Sequence, residues 1–172
     1  MLRASAQYEG HCMTPIEAAA TLFKTMPQPV SVAQLAEYGI DASEISVRQI
    51  AQEILSLNLY WILAAIDAHI PLQYRGAISE TLFETIRTHW WEPGLLGDGA
   101  WEEYRKELHV RCAEYGRLVD QEGMSHMAVS AEAASFIEDQ GLVAMEDRQK
   151  LLVLLIDYAP AAQYGKLLDE VG

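Results

Sequence analysis

Two histidine–cysteine pairs of this chain could together supply four metal ligands. His109 and Cys112 lie three apart, so a helix would present both from one face, and His11 and Cys12 would complete a four-ligand zinc site if the amino-terminal segment folded across. The two pairs lack the local spacing of zinc fingers, and Cys112 falls on the apolar stripe of its segment, where a thiol packs as a small hydrophobe. A bridged di-iron centre would need Glu-x-x-His on two helices, and that motif occurs nowhere in the sequence. No metal and no cofactor is therefore expected. Glu102, Glu103, Glu107 and Glu114 read instead as a solvated helix face, with Glu102 to Lys106 and Glu107 to Arg111 as supporting four-residue pairs.

Nucleophilic chemistry has as little to stand on. A Gly-x-Ser-x-Gly elbow is missing, and the histidines have no recognisable nucleophile beside them in sequence. Gly94-x-x-Gly97-x-Gly99 imitates a phosphate loop, but it follows no strand, has no nearby lysine, and has Glu92 before it and Asp98 within it, which repel phosphate. It reads as a helix connector. If a pocket exists between helices, His89, His109 and Tyr104 are the residues that would act there, which keeps an enzyme or small-ligand binder as one alternative.

The formal charge of -13 is spread along the chain, net -5 up to Glu92 and net -8 from Pro93 onward. Such a surface repels phosphate backbones and anionic lipid, so neither nucleic acid nor membrane is expected as a partner. Two helices over Val32 to Ile54 imitate a helix-turn-helix, yet the recognition segment offers Glu44, Glu53 and only Arg48. A basic protein partner fits the charge better, as would an acidic inhibitor or immunity-type protein that blocks a basic site.

Aromatic residues give the strongest signal of a binding surface. Trp90, Trp91 and Trp101 flank the glycine-rich connector, and on an α-helical wheel Trp91 points away from the Ile78, Leu82 and Ile86 stripe. An uncovered tryptophan is characteristic of interface hot spots, so Trp90, Trp91 and Trp101 are the candidate partner-binding residues. The competing reading has Trp91 folding over the loop as the helix unwinds before Pro93.

The elements that would position these residues are helices. Thr14-Pro15-Ile16-Glu17 and Ser31-Val32-Ala33-Gln34 are capping boxes, and Gly39 is placed to end the second helix in the left-handed region. Asp41 or Ser43 opens a long third helix reaching His69, in which Val47, Ile50, Ile54, Leu57, Trp61 and Ala65 recur by three and four. Asn58 to Ile66 is apolar nearly all round, so other helices or a partner subunit must surround it. Further helices are expected from about Arg75 to Trp90, from Trp101 to about Glu122, from a cap at Ser130 to Gly141, through the apolar run Leu151 to Ile156, and from Pro160 onward. The nine residues from Tyr115 match those from Tyr164 at five identities, which reads either as a duplication or as two helices that end alike.

The sequence thus predicts an all-α, single-domain up-and-down helical bundle of about seven or eight helices over residues 14–172, behind a flexible amino-terminal segment over 1–13. Two cysteines are too few for a disulfide framework, and no apolar leader follows Arg3, so a reducing, cytoplasmic setting is expected. The leading functional expectation is a non-catalytic protein-binding or scaffold protein, acting as a homodimer or with a basic partner.

Overall fold

The computed structural model describes residues 13–122 and 126–170. Of the amino-terminal segment expected over 1–13 only Met13 is among them, and it packs against the core. Among the described residues there are eight α-helices: α1 (Pro15–Thr25), α2 (Val32–Glu37), α3 (Glu44–His69), α4 (Leu72–Ile86), α5 (Trp101–Glu122), α6 (His126–Asp139), α7 (Arg148–Asp157) and α8 (Ala161–Asp169). A π-helical turn, Arg87–Trp91, continues α4, and a 3-10 turn, Met145–Asp147, precedes α7.

The caps act where the sequence places them. Thr14 accepts from the Glu17 amide while the Glu17 carboxylate accepts from the Thr14 amide, and Ser31 and Gln34 repeat the exchange. Such a cap contributes about 1 kcal/mol by satisfying donors that the first turn leaves free. Gly39 sits at φ 74 past the end of α2, a conformation that favours glycine. One cap is corrected: Ser130 lies inside α6, four residues past its first residue, with its hydroxyl buried and without a partner. The helix starts instead at His126, whose ring stacks on Trp61 and whose Nε2 lies 3.3 Å from the Ala159 carbonyl.

Side-chain pairs fix the direction of each helix against α3. Near the start of α3, Glu53 bonds both Arg111 of α5 and Gln140 beyond α6; further along, Tyr60 meets Tyr115 of α5 and Trp61 stacks on His126 of α6. Hence α5 runs parallel to α3 and α6 runs against both. α4 turns back at Pro71 and ends with Trp90 beside Ala51 and Ile54. Gln140, past the end of α6, lies at Glu53 of α3, and Tyr158, past the end of α7, lies further along at Asn58, so α7 reverses again. From α3 to α7 the chain goes up, down, up, down, up, as short connections require. α8 continues upward along α3, from Tyr164 at Asn58 to Asp169 at His69, while α1 packs on α4.

α3 is the centre. By length and composition it could cross a membrane, but about three fifths of its apolar window is buried by this chain's own helices. Leu57, Leu59 and Ile62 have no exposed surface, and each such side chain contributes about 1.5–3 kcal/mol on burial. Asn58 is the polar exception, 1% exposed. Its amide donates to the carbonyls of Ile54 and Tyr158 at 2.9 and 2.7 Å, and its Oδ1 accepts from the Tyr164 hydroxyl at 2.6 Å. The side chain thereby locks the end of α7 and the middle of α8 to one level of α3. Asn58→Leu strands the Tyr164 hydroxyl and the Tyr158 carbonyl without a partner, and is expected to lower stability by about 2 kcal/mol in a urea melt.

Candidate functional site

The three tryptophans proposed as a partner surface lie in the chain's own interior. Trp90 and Trp91 are 4% and 7% exposed, and Trp101 is half-buried. Trp90 packs on the Phe23 ring at 4.7 Å, and Trp91 lies 4.9 Å from the Tyr104 ring and 5.2 Å from that of Trp101. The Trp91 indole donates to the Gly99 carbonyl at 2.9 Å, so its polar edge is satisfied by the connector. The expectation that Trp91 stands off the core is therefore corrected. Its physical reason is the π-helical turn: the Glu92 amide reaches back five residues to the Arg87 carbonyl, the widened turn takes up an extra residue, and both consecutive indoles can face inward. Gly94 and Gly97, at φ 79 and 107, then fold the connector back so that Gly99 lies against the Trp91 ring.

An open apolar groove lies instead at the carboxyl-terminal halves of α3 and α5. Tyr60, Trp61, Leu63, Ala64, Asp67 and Ala68 form one wall, Cys112, Gly116, Val119 and Asp120 the other, around about 620 Å³. Its polar groups are two carboxylates, one thiol and the tyrosine and tryptophan heads, and neither wall carries a basic residue. Tyr60 and Trp61 are half-buried, their rings 4.9 Å apart and Tyr60 edge-on to the fully buried Tyr115. On its other side Trp61 borders a second open groove of about 620 Å³ with His126 and the Ala159–Gln163 stretch, so this one indole separates two concavities.

Burial pushes the Cys112 thiol up to about 11, so it stays protonated near neutral pH and is no poised nucleophile. Burial, then the nearby Asp120 charge and Cys112, raise the Tyr60 hydroxyl above its ordinary value. Gly116 leaves the groove its width, since a Cβ built there meets no atom within 4 Å. Gly116→Ala is accordingly expected to raise stability by about 0.5–1 kcal/mol through helix propensity alone, seen as a higher thermal midpoint.

The other residues singled out by the sequence do not converge. Tyr104 is buried with its hydroxyl 3.2 Å from Ser56 Oγ, and desolvation holds its pKa far above the ordinary range. His89 sits on the surface against Phe23 with its Nδ1 2.9 Å from the Thr85 carbonyl, and His109 is exposed on the outer face of α5. No contact joins these three. His109 and Cys112 occupy different environments, and His11 and Cys12 lie outside the described residues. Among the described residues no group of three or more histidine, cysteine, aspartate or glutamate side chains is placed to hold a metal.

The sequence signal for the groove is the Asn58 to Ile66 stretch, whose apolar character all round calls for cover on every side. α8, α5 and α6 supply most of it, and the Tyr60 to Ala64 side is where cover is incomplete. No family model matches this chain, and no curated protein or solved structure gives a significant match.

Proposed function

We propose that this protein is a non-catalytic helical module that binds another protein chain, and that its binding surface is the α3–α5 groove at Tyr60 and Trp61 in place of the Trp90 to Trp101 cluster. One observation carries the reading: two half-buried aromatic rings and the apolar side chains of Leu63, Ala64 and Val119 line a concavity that the fold leaves open. Half-buried aromatic anchors on rigid helices are the chemistry of interface hot spots, because covering them removes apolar surface from water at low cost in side-chain entropy. The formal charge of -13 supports a partner of basic character, and the unpaired Cys112 thiol supports a reducing, cytoplasmic setting.

Site-specific photo-crosslinking tests the reading. A benzophenone side chain at Ala64, in the groove, is expected to give a discrete adduct in the protein's native cells, and Gly116→Leu, which fills the groove, is expected to abolish it. The same probe at Glu84, on the exposed side of α4, should give none. An adduct of twice the chain mass identifies a homodimer. Adducts from both positions, or one that survives Gly116→Leu, would remove the groove as the surface. An adduct lost in high salt yet indifferent to Gly116→Leu would favour the acidic-inhibitor reading instead.

A further inference from the structure

The groove has a polarity along its length. α3, α5 and α8 run parallel, so their carboxyl-terminal ends, each carrying the negative end of a helix dipole, lie at one end of the bundle. Asp67 and Asp120 face the groove at that same end, and Asp169 and Glu170 close α8 there. Opposing charges are few. Arg75 bonds Asp67 at 3.2 Å, His69 lies 3.0 Å from Asp169, Lys166 is exposed on α8, and Arg117 bonds Glu114 on α5. Asp120 makes no ion pair among the described residues. The opposite end, toward Cys112, is apolar, and the Tyr60 hydroxyl lies near enough to both Asp120 and Cys112 to feel each of them.

Resting on the reading that the groove receives a protein, we infer that its occupant is a basic amphipathic helix, lying antiparallel to α3 and α5, with lysine or arginine at its amino-terminal end over Asp120. Four features select this occupant. From Tyr60 to Asp67 the wall is about 10 Å long, two helical turns, which suits apolar anchors at i, i+3 or i+4, and i+7. The two carboxylates stand at one end only, so the occupant's cations must be at one end too. An incoming helix that presents its positive dipole end to the negative ends of α3 and α5 adds to the attraction, and one in the reverse orientation opposes it. The Tyr60 ring near Asp120 favours an ammonium or guanidinium over a neutral polar group.

Three fluorescein-labelled synthetic peptides distinguish the outcomes, read by anisotropy on the full chain. The first carries two lysines at its amino-terminal end followed by leucines at helical spacing, the second has the lysines at its carboxyl-terminal end, and the third has glutamates in place of the lysines. The first is expected to bind most tightly, to weaken roughly fivefold in Asp120→Asn, and to weaken further as salt is raised. Binding should vanish in Gly116→Leu, whose folding is checked by an unchanged circular dichroism spectrum and melt. If all three bind the groove equally and Gly116→Leu abolishes them all, the groove is a docking surface but the charge and orientation of the occupant are wrong. If none binds, or binding ignores Gly116→Leu, the inference and the docking surface fall together. If light scattering shows a dimer that Gly116→Leu dissolves, a second copy is the occupant and the basic helix is overturned.

Discussion

Trp91→Ala is expected to lower the stability of the fold by about 3–5 kcal/mol, the cost of emptying a tryptophan-sized space in a packed interior. The indole touches Tyr104 and Trp101, and its N–H bonds the Gly99 carbonyl, so the substitution also frees the connector that holds α5 at its start. The measurement is a urea titration followed by circular dichroism, with the midpoint falling at constant slope. A change under about 1 kcal/mol, the size typical of surface substitutions, would mean that Trp91 is uncovered in solution and would restore it as a partner residue.

The second large effect is expected at Arg111. Its guanidinium makes a bidentate pair with Glu53, Nε to Oε2 at 3.0 Å and NH2 to Oε1 at 2.8 Å, and stacks on the Phe136 ring at 3.9 Å. Gln140 donates to Glu53 Oε1 at 2.9 Å, so a single carboxylate ties α3, α5 and the end of α6 together. The Glu53 side chain is 10% exposed and that of Arg111 20%. Arg111→Leu leaves the carboxylate with Gln140 alone, and removing one partner of such a pair costs about 3 kcal/mol, toward the lower end of the range because Arg111 is partly solvated. The double variant Glu53→Leu with Arg111→Leu is expected to recover most of that loss, since an apolar pair of similar volume needs no desolvation of charge. A single variant as stable as the wild type would show that the pair is no more than a surface contact.

Much of the fold was legible in the sequence because it is written in local chemistry. Thr14, Ser31 and Ser43 announce helix starts through a bond to a backbone amide three residues on, a distance the chain cannot help but satisfy. α5 begins at Trp101, where its stripe of Trp101, Tyr104, Leu108, Cys112, Tyr115 and Val119 begins, and it runs to Glu122 as the sequence predicts. α4 starts at Leu72, three residues before the expected Arg75, because Pro71 needs no amide partner and so permits a helix to open directly after it. The resemblance between the stretches from Tyr115 and Tyr164 has a structural counterpart: both tyrosines are fully buried, and α5 and α8 both pack on α3 and run in its direction.

The site was less legible. A helical wheel with 3.6 residues per turn places Trp91 off the core, and only the i to i+5 bond at Arg87 reveals that the wheel does not apply there. Tyr60 and Trp61 carried a signal, but of the wrong kind. An apolar residue on α3 looks the same in sequence whether another helix covers it or nothing does.

What the amino-acid order determined by itself is the set of helices and their apolar faces, since capping bonds, glycine stops and three-to-four periodicity act over one or two turns. Tertiary structure alone decided which faces were satisfied. Burial is a relation between segments as far apart as Asn58 and Tyr164, so the packing of α8, α5 and α6 around α3 determined that the Trp91 face would close over and the Trp61 face would stay open.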